Sequence, residues 1–149
     1  MRQNFAYLFI LLATISMINA IPLDKRATAF VACNNAANPS VLTVTINPDP
    51  PTAGASLTIN ASGTATNPIT QGATINAVFI DANNNILGQA SIQDFCSQAG
   101  ISCPVQPGQT FTIPPIMITA PASLTNTALG VNVADTNSNP VACAVARFT

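Results

Sequence analysis

Two runs of strict alternation frame a break in the first half of the chain. Val41, Thr43 and Thr45 interleave with Leu42, Val44 and Ile46, and later Leu57, Ile59 and Ala61 interleave with Thr58, Asn60 and Ser62. A period of two is the mark of half-buried strands. Between the runs, Pro48, Pro50 and Pro51 cannot donate ladder hydrogen bonds and Gly54 can take a positive φ, so the chain must turn there. The pattern then repeats. TINAVFI places Ile75, Ala77 and Phe79 on one face, and Asp81 to Asn85 (DANNN) forms a polar hairpin connection. Ile86 to Phe95 is a further extended segment. TFTI and IMIT follow, broken at Pro114 and Pro115, and Leu129, Val131 and Val133 alternate with Gly130, Asn132 and Ala134. Val141 to Phe148 is the last strand. No segment has helical periodicity.

Seven main strands separated by frequent turns predict an all-β, immunoglobulin-like antiparallel β-sandwich, with a barrel as the alternative. There is no Trp, so the buried Trp packed on an inter-sheet disulfide of true immunoglobulin domains is missing.

The N-terminal region predicts processing. Arg2, the apolar run Phe5 to Ile18 and the small pair Asn19-Ala20 follow the order of a secretory signal peptide, assigned to residues 1–20. That apolar run is shorter than the roughly 20 residues a membrane span needs. The dibasic Lys25-Arg26 ends a short propeptide, 21–26, leaving one domain over 27–149. Within 27–149 the only base is Arg147, against Asp49, Asp81, Asp94 and Asp135, a net charge of −3. One cation cannot neutralise a run of phosphates, which excludes nucleic acid as a partner and polybasic attraction to membranes.

Four cysteines in a secreted domain predict two disulfides. Cys96 and Cys103 flank SQAGIS, with Gly100 to help the turn, so they pair locally and leave Cys33 with Cys143. Without histidine or a C-x-x-C spacing, a zinc site has no support. Asn60-Ala61-Ser62 is the one N-glycosylation sequon without a blocking proline, and Asn60 falls on the polar face of its strand.

Catalysis is poorly provided for. No histidine means no Ser/His or Cys/His pair, there is no glutamate, and the only lysine lies in the propeptide. Each aspartate sits in or beside a turn-like segment, where a turn-forming or solvated carboxylate is the simpler reading. The expectation is a binding protein, not an enzyme. It needs no cofactor, and its ligand is held mainly by apolar contact.

The order of motifs is informative. Cys33 precedes NPDPPTAGASLTINASGT, then come ITQGATINAVF and DFCSQAGISCPVQPGQTFTI, and last ACAVARF with Cys143. This arrangement, from Cys33 to Thr149, resembles the ML family, the lipid-recognition domains that include fungal phosphatidylglycerol/phosphatidylinositol transfer proteins and the Niemann-Pick type C sterol carriers. The resemblance implies a seven-stranded sandwich whose sheets part to hold one lipid in an apolar cavity, with the same two disulfide pairings. It implies Ile75, Ala77, Phe79, Phe111, Ile113, Leu129, Val131 and Val133 as cavity-lining residues. It implies a monomeric carrier of phospholipid or sterol that touches membranes transiently, in the extracellular space or a vacuolar or lysosomal lumen. The alternative is a secreted interaction or effector sandwich with no lipid cavity. The chain departs from the family in lacking the extra N-terminal cysteine pair of the animal sterol carriers. It also has Leu129 and Val131 where Tyr is often found.

Overall fold

The computed structural model describes residues 27–34 and 39–149. The signal peptide and propeptide expected from the sequence lie outside the described residues. Nine strands form two sheets: β1 (Val31–Ala32), β2 (Ser40–Val41), β3 (Thr43–Asn47), β4 (Ser56–Thr64), β5 (Thr74–Asp81), β6 (Ile86–Asp94), β7 (Thr110–Thr119), β8 (Thr127–Ala134) and β9 (Pro140–Phe148). A large sheet runs β1-β9-β8-β5-β6, with β2 also on β9, and a small sheet runs β3-β4-β7. All pairings are antiparallel except β2 with β9. The immunoglobulin-like sandwich read from the alternation is therefore the fold, and the two strands beyond the seven expected are the two-residue β1 and β2.

Alternation is what places the core. On β3, Val44 and Ile46 point inward, and on β4 Leu57, Ile59 and Ala61 do the same, paired across the two strands. In the large sheet the inward positions of β5, β8 and β9 align in rows: Ile75 with Val133 and Ala142, Ala77 with Val131 and Ala144, Phe79 with Leu129 and Ala146. Each row ends in an alanine on β9, whose small volume favours close approach of the sheets on that side.

One expectation is corrected. The strand does not break at Pro114-Pro115; β7 continues through them, because Ile59 pairs with Ile116 and Ala61 with Ile113, so the two prolines form a bulge opposite Asn60. The prolines are tolerated because β7 is the edge of the small sheet, where missing N–H donors break no further ladder.

The connections are pinned by backbone groups. The Pro-rich turn between β3 and β4 is tied to the β7–β8 loop, with Gly54 N–H donating to Pro121 O at 2.9 Å and Ala120 N–H to Ala55 O at 2.9 Å. Ile69 and Val105 exchange two backbone hydrogen bonds of 3.0 and 2.9 Å, fastening the β4–β5 connection to the β6–β7 connection. The disulfides are Cys33–Cys143 and Cys96–Cys103. By loop entropy the first, which closes the longer loop, stabilises by about 4 to 5 kcal/mol and the second by about 2 to 3 kcal/mol.

Gly63 is required by packing. A Cβ there would stand 3.0 Å from Leu42 Cδ2 and 3.0 Å from Phe111 Cζ, both core side chains that would have to shift to admit it. Gly63→Ala is accordingly expected to lower unfolding free energy by about 1–3 kcal/mol, the usual cost of overpacking, read by urea denaturation with both disulfides intact.

Candidate functional site

The two edges of the sandwich are unlike. At one, the chain passes from β2 in the large sheet to β3 in the small one through Leu42, whose N–H donates to Cys143 O at 3.3 Å. Ser40 on β2 adds a bond across the sandwich: its hydroxyl lies 2.9 Å from Thr66 Oγ1 and accepts from Thr66 N–H at 3.1 Å. At the other edge β6 faces β7, and among the described residues no hydrogen bond joins them.

That open edge has a closed end and an open end. Phe95, just past β6, packs edge-on against Phe111 of β7 with ring centroids 5.3 Å apart, beside the Cys96–Cys103 loop. Midway along, Gln89, Ala90 and Ser91 face Ser56, Met117, Ile118 and Thr119 across a groove of about 250 Å³. Beyond it a second hollow, of about 420 Å³, is bounded by Leu87, the β5–β6 hairpin and the Pro121–Thr127 stretch. No charged side chain lines the middle groove.

The local sequence accounts for the groove. Phe79 pairs with Leu87 and Ala77 with Ser91, so β6 spends Gly88, Gln89 and Ala90 opposite the single residue Val78. Gly88, at φ 75°, supplies the left-handed turn that this wide bulge needs. Consequently no residue of β6 is fully buried, in contrast to every other long strand.

The structure brings all eight candidate lining residues to the interior. Ile75, Ala77 and Phe79 on β5 and Leu129, Val131 and Val133 on β8 form a compact grid, with Phe111 and Ile113 on β7 belonging to the same core cluster. Ile75, Ala77, Leu129, Val131 and Val133 have no accessible surface, so no water-sized void touches them and the sheets are closed over this grid. Phe79 and Ile113 are nearly as deep, and Phe111 borders a hollow beside the Cys96–Cys103 loop. Sequence reasoning passed over Leu87, Gln89, Ser91, Met117 and Ile118. Their signal was Gly88 in the middle of an extended run, a mark of a bulge.

The carboxylates are structural, as the sequence led one to expect. Asp49 accepts from Thr28 N–H at 2.9 Å and from its hydroxyl at 2.6 Å, and Asp94 accepts from Ser97 N–H at 2.8 Å. Asp81 and Asp135 organise the same turn twice, in DANNN and DTNSN. Each accepts from the N–H groups two and four residues on, at 2.8 Å throughout, with Asn84 and Ser138 left-handed at the fourth position. Among the described residues no group of three or more His, Cys, Asp or Glu could hold a metal ion. Asn60, the sequon residue, is exposed on β4.

A family model for the ML domain matches residues 27–149. The chain belongs to the ML domain family. A comparison with curated protein sequences returns no match. Among solved structures, the Niemann-Pick type C2 protein from Japanese carpenter ant is similar with a TM-score of 0.50 at 10% identity, over 79% of this chain and 96% of that one. Chicken MD-1, solved in complex with lipid IVa, is similar with a TM-score of 0.46 at 14% identity, over 80% of this chain and 88% of that one. These likenesses concern the fold. The matched segment holds the grid, the groove and both disulfides.

The twin turns contribute to the acid response of this ML domain. The side-chain amide and backbone N–H of Asn85 hold the Asp81 carboxyl below its usual range, and the Asn139 N–H does the same for Asp135, helped by that residue's side-chain amide. A depressed folded-state pKa contributes stability that is present above the unfolded value of about 3.9 and lost as pH falls through the lower folded value. The melting temperature should therefore decline below about pH 4. In Asp81→Asn/Asp135→Asn it should start lower at neutral pH and decline less on acidification, as followed by circular dichroism.

Proposed function

We propose that this ML domain is a non-enzymatic lipid carrier. It takes the apolar part of a phospholipid or sterol between its sheets through the β6–β7 edge and moves it between membranes. The observation that carries the reading is the asymmetry of the two edges: one is bridged by the chain and by Ser40–Thr66, while the other is unbridged and grooved. The interior behind the groove is almost wholly apolar, with Ser40 and Thr127 the only buried polar residues among the described ones. An entering acyl chain thus exchanges apolar contacts for apolar contacts and strands no polar group.

The open hollows of about 250 and 420 Å³ fall below and in the lower part of the roughly 300–1,000 Å³ of ligand sites, and neither reaches the buried grid, so uptake between the sheets requires them to part at this edge. Each methylene transferred from water contributes about 0.8 kcal/mol, and ten therefore contribute about 8 kcal/mol toward opening and immobilisation. The eight interior residues become the lining only in that opened form. Gln89, Ser91, Ser56 and Thr119 at the mouth offer hydrogen bonds and no charge, which suits a hydroxyl-bearing head group. Met117 stands exposed on β7 beside the mouth, and this is where a membrane is contacted. Two disulfides with no free cysteine fit the oxidising lumen of the secretory pathway, outside the cell or in a vacuolar or lysosomal compartment. A glycan on Asn60 would project from the outer face of the small sheet, away from the mouth. The second reading, a packed interaction domain that holds no lipid, rests on the zero accessible surface of the grid.

Native mass spectrometry after exposure to vesicles containing phosphatidylglycerol, phosphatidylinositol and sterol separates the two. The carrier gains the mass of one lipid per chain; folded protein that stays at its apo mass gives the packed domain. Ser91→Trp fills the groove from the mouth and should cut occupancy at least about tenfold, equivalent to about 1.4 kcal/mol, with the melting temperature preserved. Met117→Ser should slow transfer between vesicles more than it lowers occupancy, because the exposed side chain acts at the membrane as well as at the mouth.

A further inference from the structure

Strand register identifies the outer face of the large sheet. Since Ile75, Ala77 and Phe79 point inward, Asn76, Val78 and Ile80 point outward, flanked on β6 by Ile92 and Ile86. On the other side come Asn132, Gly130 and Ala128 of β8, then Cys143, Val145 and Arg147 of β9. Val31 of β1 pairs with Val145, and Val41 of β2 with Cys143. Among the described residues, four of the five exposed large hydrophobic side chains, Val31, Val41, Ile86 and Ile92, lie on this one face. The opposite outer face, on the small sheet, presents Thr43, Thr45, Thr58, Asn60, Ser62 and Thr112, with Met117 beside Thr58 as its one exposed large hydrophobic side chain among the described residues. A soluble sandwich thus keeps one wall of hydroxyls and amides and one of valine and isoleucine, and a concentration of exposed apolar side chains of that kind marks an interaction surface.

We propose that two copies of the chain associate through this apolar face, sheet on sheet, about a two-fold axis running along β8. The arrangement of side chains is self-complementary about that strand. Ile92, Asn76, Asn132, Cys143 and Val41 form one row across the sheet, and Val78, Gly130, Val145 and Val31 the next. Rotation about β8 lays Ile92 of one copy over Val41 of the other and Val78 over Val145, while Gly130 and Ala128 leave the axis low. Strands of the two sheets then run nearly aligned, the common geometry of face-to-face sheets.

The polar groups on the face are partly paired already. Asn76 Nδ2 donates to Asn132 Oδ1 at 2.8 Å and to Thr74 Oγ1 at 3.3 Å, which leaves Asn76 Oδ1 and Asn132 Nδ2, close to the two-fold axis, to be paired across the interface. Asp94 and Arg147 sit toward the ends of β6 and β9, where they can stay hydrated. Four strands of roughly eight residues and the two-residue β1 and β2, at about 4.8 Å between strands and about 3.4 Å per residue, give a face of about 600 Å² per copy. The total of about 1,200 Å² stands at the lower bound of the roughly 1,200–2,000 Å² of stable interfaces, which suits a reversible dimer. A bilayer fits the face less well: it carries charge of both signs at its ends and has no aromatic side chain to anchor at the head-group level. The inference stands whether or not the interior holds lipid.

Sedimentation equilibrium of the purified, disulfide-bonded, lipid-free protein over a wide concentration range tests it. The wild type should form a reversible dimer. Ile92→Lys and Val41→Glu, both at positions more than half exposed and so compatible with folding, should each weaken it at least about tenfold, equivalent to about 1.4 kcal/mol. The double variant Val41→Glu/Ile92→Lys should recover much of the loss, because each lysine then faces a glutamate on the other copy. A wild type that stays monomeric throughout, single variants that dimerise normally, or a double variant no better than the singles each overturns the proposal. A monomer that floats with phosphatidylcholine vesicles and loses this on Ile92→Lys also overturns it and assigns the face to a bilayer.

Discussion

A sheet five strand positions wide faces a sheet of three, and this mismatch in width governs the rest of the structure. Three strands can cover only part of the wider sheet, so the uncovered strand must lie at an edge. That strand is β6, which has no fully buried position. Its bulge at Gly88–Ala90 follows from the same constraint: with little above it to pack against, three residues can stand opposite one without emptying the core. The groove beneath is the space left where the small sheet ends.

The covered side is held in the opposite way. The chain crosses from sheet to sheet between β2 and β3, Ser40 bonds to Thr66, and three alanines on β9 permit close packing. The Cys33–Cys143 disulfide fastens the segment before β2 to β9 on this side. The sandwich is therefore a wedge joined along one edge, with Phe95 against Phe111 closing one end of the free edge and the hollow at Leu87 and Pro121 opening the other. Because nearly all of the interior is Ile, Val, Leu, Ala and Phe, separating the free edge exposes apolar surface and breaks no buried polar bond. That is the property a lipid site requires, and the ML family membership of the chain is consistent with it.

Much of this was legible in the chain. Alternation around Val44, Ile59, Ala77 and Val131 located the strands and their buried faces, because period two has one physical meaning when one side is wet. The four cysteines gave their pairings through spacing. The scattered aspartates read as turn formers, and each holds backbone N–H groups. Pro114-Pro115 misled because a proline pair usually ends a strand; it does not where the strand is an edge and the pair sits in a bulge. β6 misled in a different way, since ILGQASIQD looks as strand-like as its neighbours although none of its positions is fully buried.

The amino-acid sequence alone determined the element types, the inward-facing residues and the poverty of chemistry, since these depend on the period, the side-chain type and the charge of a short stretch. Only the tertiary structure decided which edge is bridged, which strand is left uncovered and which outer wall is apolar. Val31, Val41, Ile86 and Ile92 are far apart in the chain and each is an ordinary strand residue. They become one surface because β1 and β2 join β9 while β6 joins β5, a set of long-range pairings that no local pattern encodes.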